Sequence, residues 1–289
     1  MKPIFIGIGF NRQQRVPAEV LRHSIYARTQ LQLSYVDLSM ILKETPSKGK
    51  TPFSLQRFLF AEAIANEDFD VAIYLDSDMC VFSDIADLVI NFTHLNVPVA
   101  TCAAPKQFLR RAQSSVLIFN TDGARLLRDR LFEYQKKNLS YERLLYLDDL
   151  EGWGRISKDW NCLEYFDANS RLIHWTDMDS QPWLRDDNYL GGLWVHALRD
   201  WCDFDEDNHK SMLLDIKAGF LRPSLIQAIR APFGSHVSFY FRLRDLFFLP
   251  PHRFSKIPRP LRVLFLPFFK LTINMRFFFN GGKVNDLNG

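Results

Sequence analysis

Residues 71–78 read VAIYLDSD, an apolar run that ends in two aspartates with one serine between them. An unbroken apolar run of this length is typical of a strand that is covered on both faces. Asp76 and Asp78 therefore come directly after a buried strand. In open α/β sheets, ligands bind beyond the carboxyl ends of the strands. These two carboxylates are the first candidates for a functional site.

Strands and helices are predicted to alternate on both sides of this run. The pattern predicts strands at 3–9, 32–38, 71–75, 97–102 and 115–119, and helices at 16–29, 54–65 and 123–136. Ser54 is the predicted N-cap of the second helix. Such alternation predicts an α/β fold with a mostly parallel central sheet flanked by helices. Ligands are then expected just after residues 9, 75 and 119.

The composition excludes a collagen-like or a glycine-rich disordered chain. The 289 residues are 47% hydrophobic and 24% charged with only 13 glycines, which suits one large α/β core or a core plus an appendage. The four cysteines have no CxxC spacing, and scattered thiols suit a cytoplasmic protein. We recognise no signal peptide, and no window of about 20 uncharged apolar residues predicts a membrane span.

Charge is distributed unevenly along the chain. From Phe220 onward, 11 basic residues stand against two acidic ones, a balance of +9. The overall charge of +3 therefore leaves −6 for the first 219 residues. Half of the 26 phenylalanines also lie after residue 219. This asymmetry predicts an anionic partner for the C-terminal part.

The pair Asp76 and Asp78 differs from the other DxD pairs of the chain because it alone directly follows a fully apolar strand. Residues i and i+2 of an extended chain share a side and lie about 6.6 Å apart. Two carboxylates can converge from there on one divalent cation, and the small Ser77 between them leaves room for a nucleotide. Such an ion would stabilise a diphosphate leaving group. From spacing alone, a turn-capping role stays open.

Three blocks of sequence, at 3–24, 51–88 and 171–183, resemble glycosyltransferase family 8, which includes bacterial lipooligosaccharide galactosyltransferases. The middle block is the most specific, with an arginine on a helix, the apolar strand and the DxD pair. The resemblance covers roughly residues 1–200 and is weak between 121 and 155. It implies a GT-A-like nucleotide-diphospho-sugar fold, Mn²⁺ with Mg²⁺ as an alternative, a UDP-sugar donor and retention of anomeric configuration.

The resemblance also implies roles for single residues. Asp76, Asp78 and His174 match the metal ligands, and an imidazole suits Mn²⁺ better than Mg²⁺. Arg57 matches an arginine near the donor and joins the two aspartates in the predicted catalytic set, although a salt bridge that only orients an aspartate stays open. Asn161, after Trp160, is expected to have a structural role. The expected donor-binding residues are Ile8, Gly9, Asn11, Arg57, Ser77 and Gln181, and Ser115 and Asn120 are expected to border the sugar pocket.

Two positions depart from the family. Asn11 stands where many relatives have an aspartate that contacts the base or ribose. Gln181 stands where many have a lysine that contacts the diphosphate, and Arg185 is the nearest cation that could replace it. The acceptor-side Asp-Gln pair is not recognisable. A catalytically inactive sugar- or nucleotide-binding member of the family is therefore kept as the alternative function.

Other readings of the motif are weaker. A phosphatase of the haloacid dehalogenase type also ends a strand in DxD, but it usually has Thr or Val where this chain has Cys80, and its motif lies near the N-terminus. A nicotinamide-binding GxGxxG is excluded because Arg12 replaces the third glycine after Gly7 and Gly9. Neither reading is adopted.

The predicted organisation is a catalytic domain over 1–205 and a C-terminal helical extension over 206–289. Residues 233–279 interleave Phe with Arg and Lys and contain five prolines, which suits a segment in the headgroup region of a membrane. Part of the segment 219–249 could instead pack on the core. No nucleic-acid fold signature is present. We expect a peripheral protein on the inner face of the plasma membrane that transfers a hexose to a lipid-linked glycan such as lipopolysaccharide.

Overall fold

The structure is a computed structural model, and it describes residues 2–38, 55–102, 113–137, 144–145, 147, 152–232, 238–246 and 248. The predicted N-cap Ser54 and the basic aromatic tail from residue 249 onward lie outside these residues.

Strands and helices alternate through most of the described chain, as predicted. The strands are β1 (Ile4–Gly9), β2 (Leu33–Val36), β3 (Ala72–Asp76), β4 (Met79–Val81), β5 (Val99–Cys102), β6 (Gln113–Phe119), β7 (Trp153–Ile156), β8 (Cys162–Leu163) and β9 (Leu172–His174). The α-helices are α1 (Arg15–Tyr26), α2 (Gln56–Ile64), α3 (Ala86–Leu95), α4 (Thr121–Lys137), α5 (Gly191–Phe204), α6 (Glu206–Ala218), α7 (Leu225–Ala228) and α8 (Phe239–Leu246).

The main sheet has the strand order β2-β1-β3-β6-β5-β7. β1 is parallel to β2 and β3, and β5 is parallel to β7. β6 is antiparallel to both of its neighbours, with Val116 opposite Leu75 and Phe119 opposite Ala72. The predicted mostly parallel sheet is confirmed, with β6 as its exception. The start of β6, rather than its end, therefore lies at the edge where β1 and β3 end.

A second, small sheet has the order β4-β9-β8. β4 begins one residue after Asp78 and runs antiparallel to β9, with Met79 opposite His174. The backbone N–H of Trp175 donates to the carbonyl of Asp78 at 2.9 Å and extends this pairing. The pairing brings the end of β9 to the end of β3 although the two are far apart in sequence.

The side chains of β3 alternate between two apolar layers because successive strand residues point to opposite faces. Ile73 and Leu75 pack in the layer that also contains apolar residues of α1 and α3. Ala72 and Tyr74 pack in the other layer, with residues of α2 and α4. Burying each large apolar side chain contributes about 1.5–3 kcal/mol. The two layers therefore hold β3, and the aspartates at its end, in place.

A third apolar cluster joins the C-terminal helices to α1 and to the small sheet. Its members include buried residues of α1, β9, α5, α6 and α7: Val16, Ile173, Trp194, Met212 and Leu225. The guanidinium of Arg15 also pairs with Asp215 of α6 at 3.0 Å. Packing of part of the segment 219–249 on the core is thus confirmed, and the domain boundary at 205 stays a prediction.

In the part of the chain that the structure describes, no helix combines the length and apolar character that a bilayer span requires.

Candidate active site

Asp76, the last residue of β3, is buried and held from two sides. The Arg57 guanidinium on α2 donates through one nitrogen to both carboxylate oxygens, at 3.1 and 3.2 Å. The Tyr74 hydroxyl donates to Asp76 Oδ1 at 2.9 Å. Burial raises the pKa of Asp76 above its usual value, and the charge of Arg57 opposes that shift. The second terminal nitrogen of the Arg57 guanidinium donates to Ser114 Oγ at 2.7 Å.

Asp78 lies two residues further on and faces His174. Its Oδ1 atom is 3.1 Å from His174 Nε2, but the two atoms are not aligned as a hydrogen bond. Its Oδ2 atom accepts a hydrogen bond of 3.3 Å from Gln181 Nε2. The sequence prediction that His174 lies beside the two aspartates is confirmed.

The orientation of His174 is set by Asn161, which directly follows a short 3-10 helix at Lys158–Trp160. Asn161 Oδ1 is 2.9 Å from His174 Nδ1, and Asn161 Nδ2 donates to Ser115 Oγ at 3.2 Å. Because a carbonyl oxygen can only accept, the contact places a proton on Nδ1, and in the neutral imidazole it leaves the lone pair on Nε2, which faces Asp78. Burial lowers the pKa of His174, but the charges of Asp78 and Asp76 outweigh it and raise the pKa above its usual value.

These three side chains fit a divalent cation. One ligand atom each from Asp76, Asp78 and His174 lies within 4.8 Å of the other two. Asp78 Oδ1 is buried and has no hydrogen-bond donor among the described residues, so a cation would satisfy an orphaned acceptor. Two carboxylates and one imidazole suit a metal ion that accepts both oxygen and nitrogen ligands. The cluster can therefore bind a divalent metal ion.

Gly9 ends β1 directly beside Asp76, with which it pairs in the sheet. A β-carbon at this position would overlap the Tyr74 hydroxyl, which is the group that donates to Asp76. The Gly9 carbonyl accepts from the backbone N–H of Ser77 at 3.0 Å. A glycine is thus required here so that Tyr74 can reach the first aspartate.

A cleft of about 690 Å³ opens at the carboxyl ends of β1 and β2, within the range of small-molecule sites. Its lining includes Ile8, Asn11, Arg12, Arg15, Tyr35 and Asp37. Asn11 is exposed, and its side-chain oxygen accepts from the backbone N–H of Gln13 at 2.9 Å. Two of the predicted donor-binding residues, Ile8 and Asn11, therefore share one cleft, and Ile8 directly precedes Gly9, which pairs with Asp76.

The other predicted donor-binding residues lie at the cluster itself. Ser77 is fully buried, and its hydroxyl has no hydrogen-bond partner among the described residues. Gln181 is also buried and donates to the Trp175 carbonyl at 3.1 Å as well as to Asp78. Arg185 pairs with Asp187, with its Nε donating to Oδ1 at 2.8 Å.

The two residues expected at the sugar pocket lie near opposite ends of strand β6. Ser115, near the start of β6, contacts Asn161 and so lies at the site. Asn120 follows the end of β6 at the opposite edge, where its side chain accepts from the backbone N–H of Gly123 in the first turn of α4 at 3.0 Å. The expectation for Asn120 is corrected, because the rule that ligands bind after strand ends holds for parallel strands and β6 is antiparallel.

Three contacts of the site were not assigned from the sequence: those of Tyr74, Ser114 and Asn161. Tyr74 precedes Asp76 by two residues, so the period of a strand could have placed both on one side. Asn161 was expected only to have a structural role, yet it contacts the predicted metal ligand His174. Ser114 carries no signal of its own, because its contact with Arg57 depends on how β6 and α2 pack.

No family model matches the sequence, and no curated protein is similar to it. Solved structures do match. The glycosyltransferase GlyE of Streptococcus pneumoniae TIGR4 has a TM-score of 0.53 at 14% identity over 82% of this chain and 66% of that one. The bifunctional glycosyltransferase WbbM has a TM-score of 0.48 at 12% identity over 68% of this chain and 49% of that one. LgtC in complex with donor and acceptor sugar analogues has a TM-score of 0.47 at 14% identity over 67% of this chain and 94% of that one.

The chain thus spans about half the length of WbbM and just under two thirds of GlyE. At these identities the likeness concerns the fold. The predicted GT-A-like fold is confirmed, and membership of family 8 stays a prediction.

Proposed function

We propose that this chain is a metal-dependent, retaining glycosyltransferase that moves a hexose from a UDP-sugar to a glycan acceptor. The observation that carries the proposal is the meeting of Asp76, Asp78 and His174 at the edge of the sheet. A cleft of small-molecule size lies at the ends of the neighbouring strands β1 and β2. A GT-A-like fold agrees with the proposal, but function depends on the site rather than on the fold.

In this proposal Asp76, Asp78 and His174 hold Mn²⁺, or Mg²⁺ in its place. When bound, the ion would neutralise the charge that develops on the diphosphate as the sugar–phosphate bond breaks. Asn161 keeps the imidazole in the tautomer that a metal ligand needs. Arg57 orients Asp76, since its guanidinium already contacts that carboxylate and Ser114.

The cleft beside β1 is proposed to take the nucleoside of the donor. Ile8 offers an apolar wall, and the exposed carboxamide of Asn11 can both donate and accept hydrogen bonds. Tyr35 adds an aromatic face, over which Arg22 lies at 4.7 Å. Gly9 and Ser77, joined by their backbone hydrogen bond, let the donor diphosphate approach the chain closely between the cleft and the aspartates.

We propose a lipid-linked glycan, such as a lipopolysaccharide core, as the acceptor, and a position on the inner face of the plasma membrane. The exposed side chains of Phe239, Tyr240 and Leu243 on α8 support this, together with Arg244, which lies over the Tyr240 ring. Exposed aromatic and cationic side chains suit a bilayer interface. Replacing Phe239 and Tyr240 by serine is expected to weaken flotation with anionic vesicles, and unchanged flotation would contradict membrane contact through α8.

The second candidate function is nucleotide binding without transfer. It is favoured by Gln181, a neutral residue whose amide already contacts Asp78 and the Trp175 carbonyl, and by the pairing of Arg185 with Asp187. Gln181 carries no charge, and the charge of Arg185 is paired with Asp187, so both differ from a lysine that contacts the diphosphate.

UDP release from a panel of UDP-sugars, with and without Mn²⁺, tests the main proposal. We expect release that requires Mn²⁺ and that Asp78→Asn abolishes. Asp70→Asn is the matched control, because Asp70 belongs to another DxD pair and is exposed, near Lys2. Metal-dependent UDP binding without release from any sugar would favour the inactive alternative. Absence of both Mn²⁺ binding and release would refute the assignment of the site.

A further inference from the structure

The turn that carries Gln181 is held by hydrogen bonds on both sides. The side-chain amide of Gln181 donates to Asp78 Oδ2 and to the Trp175 carbonyl. The Gln181 carbonyl accepts from the backbone N–H groups of Leu184 and Arg185, at 2.8 and 3.0 Å. Gln181 is therefore the residue through which this turn reaches a predicted metal ligand.

The next two carbonyls of the turn are held by one residue, Arg222. Its Nε donates to the Pro182 carbonyl at 2.8 Å, and its backbone N–H donates to the Trp183 carbonyl at 2.8 Å. Arg222 is only 4% exposed, so its charge lies inside the protein. Two bonds from one buried arginine to consecutive carbonyls fix both the position and the twist of the turn.

Arg222 is held in turn by α8. Its guanidinium donates to Ser224 Oγ and lies 3.8 Å from Asp245 of α8. Ser224 donates to Asp245 through both its hydroxyl and its backbone N–H, the latter at 2.9 Å. A buried cation requires such a partner, because removing one member of a buried pair leaves an uncompensated charge.

We propose that Arg222 and Asp245 are positioning residues that set the orientation of Gln181, and through it that of the Asp78 carboxylate. α8, which also carries the exposed aromatic residues, is thereby coupled to the metal-ligand cluster by an unbroken series of contacts. The inference rests on the proposed function only in that Asp78 holds a cation. A purely structural role for Arg222 would stabilise the packing of α7 and α8 and leave the metal affinity unchanged.

The Mn²⁺ affinity of the full chain, measured by electron paramagnetic resonance titration, separates the two roles. Arg222→Met and Gln181→Ala are each expected to weaken Mn²⁺ binding about tenfold, the lower end of effects from residues that orient metal ligands. The double variant is expected to bind no more weakly than either single variant, because both act through the same contact. Full additivity, or unchanged affinity in folded Arg222→Met, would overturn the proposal.

Arg199→Met is the matched control. Arg199 also donates from its guanidinium to two backbone carbonyls of the C-terminal helical region, those of Ala228 and Ala231, and neither of these bonds involves the Gln181 turn. Its replacement is expected to lower stability and to leave Mn²⁺ affinity within twofold of the wild type. An equal loss of affinity in Arg199→Met would show that general loosening explains the effect.

Hydrogen exchange of the Leu184 and Arg185 amides tests the coupling without any metal. These amides are expected to exchange about tenfold faster in Arg222→Met and to keep their wild-type rate in Arg199→Met. If Arg222→Met does not fold, Asp245→Asn serves in both assays, because it keeps the guanidinium and removes the charge that faces it, together with one of the two acceptors for Ser224. Wild-type protein that binds no Mn²⁺ would refute the proposed function, whereas unchanged exchange would refute the positioning role alone.

Discussion

Asn161 offers the sharpest test of the metal cluster, because it touches His174 without being a ligand itself. Asn161→Ala removes the acceptor of the Nδ1 proton and the donor to Ser115 in one step. Residues that orient metal ligands typically contribute 10–100-fold in affinity, which corresponds to about 1.4–2.7 kcal/mol. The variant should therefore bind Mn²⁺ about 10–100-fold more weakly by calorimetric titration.

The same change also affects stability, since Asn161 is only 4% exposed and its two partners are buried as well. Each buried polar group left without a partner costs about 1–3 kcal/mol. Ser115→Ala is the control, because it breaks only the bond to Asn161 Nδ2 and leaves the contact with His174 in place. It should retain most of the Mn²⁺ affinity. A folded Asn161→Ala protein whose affinity lies within twofold of the wild type would refute the role given to this contact.

Four further outcomes are expected. Mn²⁺ at about 100 times its dissociation constant should raise the free energy of unfolding by about 2.7 kcal/mol, an effect that chelation or Asp78→Asn removes. Gly9→Ala should destabilise by about 1–3 kcal/mol in urea unfolding because the added methyl group displaces the Tyr74 hydroxyl, and a neutral effect would contradict the close contact. Arg57→Met should lower the free energy of unfolding by about 3–5 kcal/mol, since it leaves a buried carboxylate unpaired. Burial raises the pKa of the Cys202 thiol to about 12, so unfolded chains lose this proton first and stability should fall as pH rises above about 9; Cys202→Ala should reduce that slope.

Local sequence pattern predicted the part of the site that local structure determines. The apolar run before Asp76 required a buried strand, and the spacing of two residues put Asp76 and Asp78 on one side of the extended chain. The structure has both features, with β3 buried in every residue. No tertiary information was needed for this step.

Long-range pairing determines the rest and could not be read from spacing. His174 reaches the aspartates because β9 pairs with β4, and only a family resemblance predicted its role. Asn120 was misplaced because nothing in the pattern of β6 reveals that this strand runs antiparallel to its neighbours. The contact of Arg222 with Pro182 depends on how helices pack after the sheet has formed, which no motif encodes.

The pairing of β4 with β9 has a consequence for biosynthesis. Both aspartates leave the ribosome long before the imidazole that completes their cluster, so a nascent chain that ends before Leu172 carries two acidic ligands and no third. Such a chain should hold divalent cations only weakly. An ion at this cluster would therefore gain its third ligand only after His174 has been synthesised and the small sheet has closed.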